Sequence, residues 1–365
     1  MMSHSPAYAI EQDLAGITSR LDGLCDGLRN ESIFITGGTG LFGRWLLESL
    51  MHANRKLKLN LKVTVLTRNA QAFKEKAPHL ALDPALDFHH GDVRDFDFPK
   101  QPYSFIIHGA TTSADETFRG EDPLCKFDTL VSGTRHTLDF AAQCKVKRLL
   151  FLSSGVAYGA PPLGIDFIPE DYSGAPDTTD VDSALGQAKR TAEFLCAYYA
   201  QKNGWEYSIA RCFSFVGPFL PLDIHYAIGN FIGQALFEDK ITVKGDGSPV
   251  RSYLYMADLV TWLMTLLLKG RNGQIYNVGS DHAVSIKDLA YLVRDMLNPH
   301  KAVNVLGQPG YSVGNAERNR YVPSIEKVRH EFGLDAWTSL AEAIRATAAH
   351  ILISNNSTRA TPTAN

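Results

Sequence analysis

An α/β fold built on a doubly wound parallel sheet, with a smaller C-terminal α/β lobe, is predicted by three observations. Short apolar runs alternate with helical patterns from residue 32 to about residue 211. A glycine-rich turn closes the first run and opens the first helical pattern. Past Phe213 the texture changes, because Pro218, Pro221, Gly245, Gly247 and Pro249 cut the chain into short pieces. Strands alternating with helical stretches form parallel sheets, since each crossover returns the chain to the same end of the sheet.

The elements follow in order. Leu14, Ile17, Leu21, Leu24 and Leu28 recur at spacings of three and four, which predicts one helix in an N-terminal extension over residues 1–30. Its stripe is expected to pack on the sheet edge or on a partner. Strands are predicted at 32–36, 63–67, 87–90, 104–108, 148–153 and 206–211, and helices at 41–53, 128–144 and 183–203. Residues 31–212 then form the sheet domain. Residues 213–352 form the second lobe, interleaved with the first, and 160–181 project into it. Residues 353–365 are polar without periodicity and are expected to be a disordered tail.

Bulk numbers exclude several classes. The 365 residues are 45% hydrophobic and 21% charged, enough apolar material for a sizeable core. A net charge of −3 argues against a nucleic-acid partner. Five scattered cysteines without a C-x-x-C pair argue for a reduced, cytoplasmic protein and against a metal site. No apolar run reaches the ~20 residues a membrane span needs, and the N-terminus lacks a secretory apolar segment.

The turn Thr36-Gly37-Gly38-Thr39-Gly40-Leu41-Phe42-Gly43 carries the first chemistry. Between a strand and a helix it is a Rossmann-type dinucleotide site. Gly37 permits the tight turn, Gly40 lets the backbone approach a pyrophosphate, and Gly43 lets the helix pack closely. Thr39, Leu41 and Phe42 line the same loop. The helix N-terminus offers free N–H groups and positive potential to phosphates. The second strand ends in Thr67-Arg68-Asn69, with no acid for a ribose 2′-hydroxyl. Arg68 could face a 2′-phosphate instead, so the cofactor is NAD(P) and the residues point to NADP. Asp92 and Val93 follow the third strand, where Asp92 is placed for the adenine amino group. Ala110 follows the fourth, where the backbone passes near the cofactor.

Further motifs follow: Gly91-Asp92-Val93, His108-Gly109-Ala110, Leu152 to Gly159, Arg211-Cys212-Phe213, Gly245-Asp246-Gly247, Arg251-Ser252-Tyr253 and Tyr276-Asn277-Val278-Gly279. Together they resemble the extended short-chain dehydrogenase/reductases, and within them the NAD-dependent nucleotide-sugar epimerase/dehydratase family, over roughly residues 32–335. The resemblance implies a tyrosine and a lysine four apart on one helix, with a serine or threonine on the same substrate oxygen. The lysine holds the nicotinamide ribose and lowers the phenol pKa, and the tyrosine moves a sugar hydroxyl proton. Ser154 and Lys189 match. The tyrosine position is Leu185, which can neither give nor take a proton. Three readings of Leu185 stay open: an altered variant, an enzyme using another group or a water, or a protein that binds without turnover. Tyr158 and Tyr172 are the available phenols.

The resemblance also narrows the reaction. Family 4,6-dehydratases carry Asp-Glu after the hydroxyl residue, decarboxylases a glutamate at the second place and 3,5-epimerases a cysteine there. Here those places are Gly155 and Val156. A 4-ketoreductase or 4-epimerase of a nucleotide-diphospho-sugar remains by elimination. Implied substrate contacts are Ser154, Tyr158, Ser214, Asn230 and Arg251, with Arg318 or Arg320 as the late arginine; a planar cation suits a diphosphate. His225 reads as a loop histidine. A homodimer through helices near 128–144 and 183–203 is implied as well.

Overall fold

The computed structural model describes residues 6–112, 116, 120–162, 164–224, 226–307 and 319–359. His225 and Arg318 lie outside them. Seven parallel strands form the central sheet: β1 (Ser32–Thr36), β2 (Lys62–Thr67), β3 (Leu86–His90), β4 (Phe105–His108), β5 (Arg148–Ser154), β6 (Glu206–Cys212) and β11 (Gln274–Val278). Their spatial order is β11-β6-β5-β4-β1-β2-β3, so the order reverses between β1 and β4, where such sheets bind ligands.

Period-two burial explains the double winding. Ile33 and Ile35 of β1 join a core with Trp45 and Leu46 of α2 (Leu41–Leu57) and Leu259 and Leu263 of the helix Met256–Lys269. Phe34, between them, joins Leu138 and Phe140 of the helix Pro123–Cys144 and Leu195 of the helix Ala184–Asn203. Successive side chains point to opposite faces, and each face is covered by its own helices. The six predicted strands match to within one or two residues. The seventh arrives from the second lobe, beyond every predicted strand. Arg148 secures that junction, donating from Nη1 to Leu268 O at 2.7 Å and from Nη2 to Gly270 O.

The N-terminal stripe forms two pieces instead of one helix. α1 (Pro6–Arg20) ends before a turn in which Gly23 holds φ +74°, and a short 3-10 turn, Cys25–Leu28, follows. The positive φ breaks a helix that the apolar spacing alone would continue. α1 packs on α2, on the helix Met256–Lys269 and on the C-terminal helix rather than on a sheet edge. Tyr255 Oη donates to Asp13 Oδ2 at 2.6 Å across that contact.

The expectation of a disordered tail from residue 353 is corrected over 353–359, because the last helix runs Leu340–Arg359. Ala343, Ile344, Thr347 and Ala348 are buried, and a helix anchored by such a stripe adds further turns at little cost. Residues 360–365 lie outside the described residues. None of the described helices is long and apolar enough to cross a membrane.

The second lobe is built from short sheets. β7 (Phe215–Val216) pairs with β10 (Leu254–Tyr255), and β8 (Lys240–Val243) with β13 (Ala302–Val305). β9 (Val250–Arg251) lies between β12 (Val284–Ser285) and β14 (Arg320–Tyr321). Segment 160–181 reaches this lobe: Ile168 bridges Pro323, and Arg320 Nε donates to Asp166 O at 2.6 Å.

Candidate functional site

The glycine turn shapes one end of the site. Gly37 holds φ +75°, and a Cβ there would lie 2.6 Å from the backbone of Gly109. Gly43 packs on the Gly38 backbone, as a helix start laid against its strand requires. α2 opens on Gly40 without a side-chain cap, so its first N–H groups are available to an anion. The Phe42 ring packs edge-on against Phe215, 4.8 Å between centroids. That leaves its backbone N–H, rather than its side chain, for a phosphate.

Beside the turn is a cavity of about 440 Å³ at the carboxyl ends of β1 to β4. Gly37, Thr39, Arg68, Asp92, Val93 and Ala110 all line it. Gly40 and Leu41 line an adjoining cleft of about 850 Å³, which shares Thr39, Phe73 and Lys76 with the first. Arg68 is exposed and faces Glu116 at 3.5 Å. Asp92 accepts from Arg94 N and Nε at 3.0 and 2.8 Å, and that hydrogen bond holds its carboxyl below the usual range.

A buried network braces the turn. Thr36 Oγ1 accepts from Gly109 N and Ala110 N at 3.2 and 3.1 Å and lies 2.7 Å from His108 Nδ1. His108 Nε2 is 2.9 Å from Thr134 Oγ1. Burial, aided by the Lys189 charge, pushes His108 down to about 3, so the ring is neutral. With Thr36 donating to Nδ1, Nε2 carries the proton and donates to Thr134. The crossing of β1 and β4 beside the phosphate loop is thereby locked.

The second end of the site lies at the carboxyl end of β5. Ser154 ends that strand, and its Oγ receives Val156 N at 3.3 Å. Lys189, on the helix Ala184–Asn203, is buried and donates from Nζ to Leu152 O at 2.7 Å, 4.9 Å above the Phe151 ring. Burial pushes its ammonium down to about 8 against the raising effects of Cys212, Glu193 and Cys196. One turn on, Glu193 Oε2 meets Arg211 Nη2 at 2.6 Å, and Glu193 Oε1 accepts from Ser153 Oγ at 2.6 Å. Leu185 is half-buried one turn before Lys189, so the lysine and leucine keep the spacing the motif implies.

Tyr158 is placed differently from expectation. It is wholly buried, its Oη donates to Asn277 Oδ1 at 2.8 Å, and the Arg211 guanidinium lies 4.2 Å from its ring centroid. A phenol committed to a core asparagine neither lines a sugar pocket nor acts there as acid or base. Tyr172 stacks on it at 6.0 Å. Ser214 follows β6, and its carbonyl accepts from Leu254 N at 3.0 Å. Arg251, on β9, donates to Val250 O at 2.8 Å and to Asn319 Oδ1 at 2.8 Å. Arg320 is held by Asp166. Asn230, half-buried on the helix Ala227–Phe237, makes no side-chain hydrogen bond to the Ser154 group among the described residues.

One member escaped the sequence reading. Tyr321 Oη lies 3.5 Å from Ser154 Oγ, and its ring is 4.5 Å from that of Phe213. Its strand is two residues long, with no periodicity to mark it. The cradle as a whole fits a nicotinamide dinucleotide: an uncapped helix start and a cleft at the switch point stand at one end, and at the other the carboxyl end of β5, with the Ser154 hydroxyl and the buried Lys189 ammonium on Leu152 O.

Comparison with known proteins agrees. The description "NAD dependent epimerase/dehydratase family" matches residues 33–279. UDP-glucuronic acid decarboxylase 5 of Arabidopsis thaliana is 29% identical over 315 residues, covering 86% of this chain and 87% of that protein. UDP-glucuronic acid decarboxylase 1 of Xenopus tropicalis is 26% identical, over 86% of this chain and 70% of its own. Among solved structures, the UDP-glucose 4-epimerase of Thermotoga maritima with UDP-glucose superposes with a TM-score of 0.74 at 21% identity, over 89% of this chain and 99% of that one. The dTDP-glucose 4,6-dehydratase of Streptomyces venezuelae with NAD bound gives 0.72 at 22% identity, over 89% and 98%. With that description matched over residues 33–279, the chain belongs to the NAD dependent epimerase/dehydratase family.

Proposed function

We propose that the protein is an NAD(P)-dependent nucleotide-diphospho-sugar 4-ketoreductase or 4-epimerase. The observation that carries this reading is the carboxyl end of β5. There Ser154 ends the strand whose Leu152 carbonyl accepts from the buried Lys189, and Gly155 and Val156 follow, which supply no carboxylate or thiol for elimination or epimerisation next to a ketone. The dinucleotide supplies a hydride acceptor or donor. Lys189 presents an ammonium to a ribose hydroxyl, and Ser154 presents a hydroxyl to the reacting sugar oxygen. Arg251 binds diphosphate once released from Asn319.

The phosphorylated dinucleotide is the preferred cofactor in this reading. No carboxylate ends β2, and Arg68 and Lys76 line the adenosine end. The Arg68–Glu116 pair is long, and its partners are 61% and 41% exposed. Such a pair is worth under about 1 kcal/mol, so a phosphate displaces it. In this reading the protein acts in the cytoplasm, where its scattered free cysteines stay reduced, and as a homodimer, because Phe194 and Tyr198 leave an exposed apolar step on the helix Ala184–Asn203.

The test is incubation with UDP-, dTDP-, CDP- and GDP-sugars, following nicotinamide absorbance and product configuration. Hydride transfer with one of them is expected. None with any would favour the second reading, binding without turnover, which Leu185 supports. The decarboxylase relatives make UDP-glucuronate a necessary further substrate. Release of carbon dioxide from it would overturn the ketoreductase reading.

A further inference from the structure

Tyr321 enters the Ser154 turn from β14, in register with Arg251 on β9. Its Oη has two partners, Ser154 Oγ and Cys212 O, each at 3.5 Å. Both are too long to satisfy a phenol. Other phenols are committed at short range: Tyr158 to Asn277 at 2.8 Å, Tyr255 to Asp13 at 2.6 Å and Tyr103 to Thr64 at 2.9 Å. Tyr321 Oη donates to Cys212 O only at that long range, a bond that a closer oxygen would displace.

The neighbourhood is shaped around this hydroxyl. A Cβ at position 155 would lie 2.6 Å from Tyr321 Oη and 2.8 Å from the Phe213 ring. Gly155 is therefore required by the phenol that fills its side-chain space. Phe213 supports the ring, and the Arg251 guanidinium lies 5.9 Å from its centroid. Lys189 Nζ donates to Leu152 O, two residues before Ser154 on the same strand. A hydroxyl and a phenol thus meet at the carboxyl end of β5, the strand whose Leu152 carbonyl holds the Lys189 ammonium, and at such strand ends an α/β sheet holds its ligand.

We propose that Tyr321 is the proton donor to the sugar oxygen bound at Ser154, doing from β14 what Leu185 cannot do from its helix. This rests on the function proposed above. In the reducing direction the carbonyl carbon gains a C–H bond from the hydride of the reduced dinucleotide. The C=O π pair takes the proton of Tyr321 Oη, and the phenolate regains a proton from water. The ketone is reduced to an alcohol, and the dinucleotide is oxidised. Burial raises the Tyr321 pKa, with Ser154 opposing it. The phenol therefore stays protonated at neutral pH, as a donor must.

The test compares wild type, Tyr321→Phe, Leu185→Tyr and the double variant against UDP-, dTDP-, CDP- and GDP-glucose with NAD and NADP. Tyr321→Phe is expected to lower kcat at least about 100-fold with KM nearly constant, and Leu185→Tyr in that background to restore part of it. In 13C-tyrosine-labelled wild type, the signal missing from Tyr321→Phe is expected to shift on adding the nucleotide sugar that turns over. A Tyr321→Phe enzyme within threefold of wild type overturns the proposal and leaves the function standing. Wild type without turnover on any of the four overturns both. A tyrosine signal unmoved by nucleotide sugar overturns the proposal even where the variant fails to fold.

Discussion

Replacing Glu193 by glutamine tests what holds the floor of the site. Glu193 and Arg211 are nearly inaccessible, with side-chain exposures of 9% and 6%. Their two hydrogen bonds measure 2.6 and 2.9 Å, and Ser153 adds a third at 2.6 Å. Burial pulls the Arg211 pKa down, but the Glu193 carboxylate outweighs it and holds the guanidinium above its ordinary value. Removing one partner of such a pair costs about 3–5 kcal/mol, because the other charge is left uncompensated. Glutamine keeps one acceptor oxygen, so about 2–3 kcal/mol is expected. At roughly 2.1 cal/mol/K of unfolding entropy per residue, 3 kcal/mol in 365 residues lowers Tm by about 4 °C. The assay is thermal and urea unfolding of Glu193→Gln, Arg211→Met and the double variant. The double variant should be at least about 1 kcal/mol more stable than the sum of the singles predicts. Additivity within about 0.5 kcal/mol would refute the coupling.

Other perturbations act on separate features. Gly37→Ala places a Cβ against Gly109 at a left-handed φ. About 1–2 kcal/mol of backbone strain and 1–3 kcal/mol of overpacking should abolish the thermal shift on adding NAD or NADP; an unchanged shift would count against the cradle. Arg68→Ala should weaken NADP binding about tenfold and leave NAD nearly unchanged, checked by calorimetric titration of both. Asp13 is raised to about 6, first by burial, with the Tyr255 hydrogen bond opposing. The native state then binds the extra proton between about pH 4 and 6, so this group's contribution to stability falls as pH rises through that window and is flat above it. The displacement from the ordinary carboxyl value to about 6 amounts to about 3 kcal/mol. Urea unfolding of wild type and Asp13→Asn should diverge across that range, and parallel curves would refute the assignment.

The nucleotide half was legible because its elements repeat a strong local signal. Apolar runs such as 32–36 and 148–153 are bounded by glycine or polar turns, and each strand pairs beside its neighbours. The glycine turn, Asp92, Val93 and Ala110 converge because the sheet's parallel register sends every strand end to one edge. The second lobe hides its members. β9 and β14 are two residues each, and only their pairing brings Tyr321 beside Ser154, 167 positions away in sequence. Gly23 shows the converse limit, since apolar spacing continues through a residue whose φ ends the helix. Tyr158 shows a third. The family resemblance implied a pocket residue, but the outcome depended on Asn277, a partner that distance along the chain conceals.

The seventh strand has a consequence for how the chain is made. During synthesis β6 is complete at Cys212, while β11 begins only at Gln274. Residues 213–273 must emerge in between, which at about 5–20 residues per second leaves the edge of β6 bare for roughly 3–12 s. A bare apolar edge invites pairing with another nascent chain. A fragment ending near residue 212 would carry the same edge permanently, so the nucleotide-binding half cannot be excised by cutting where its own run of strands ends.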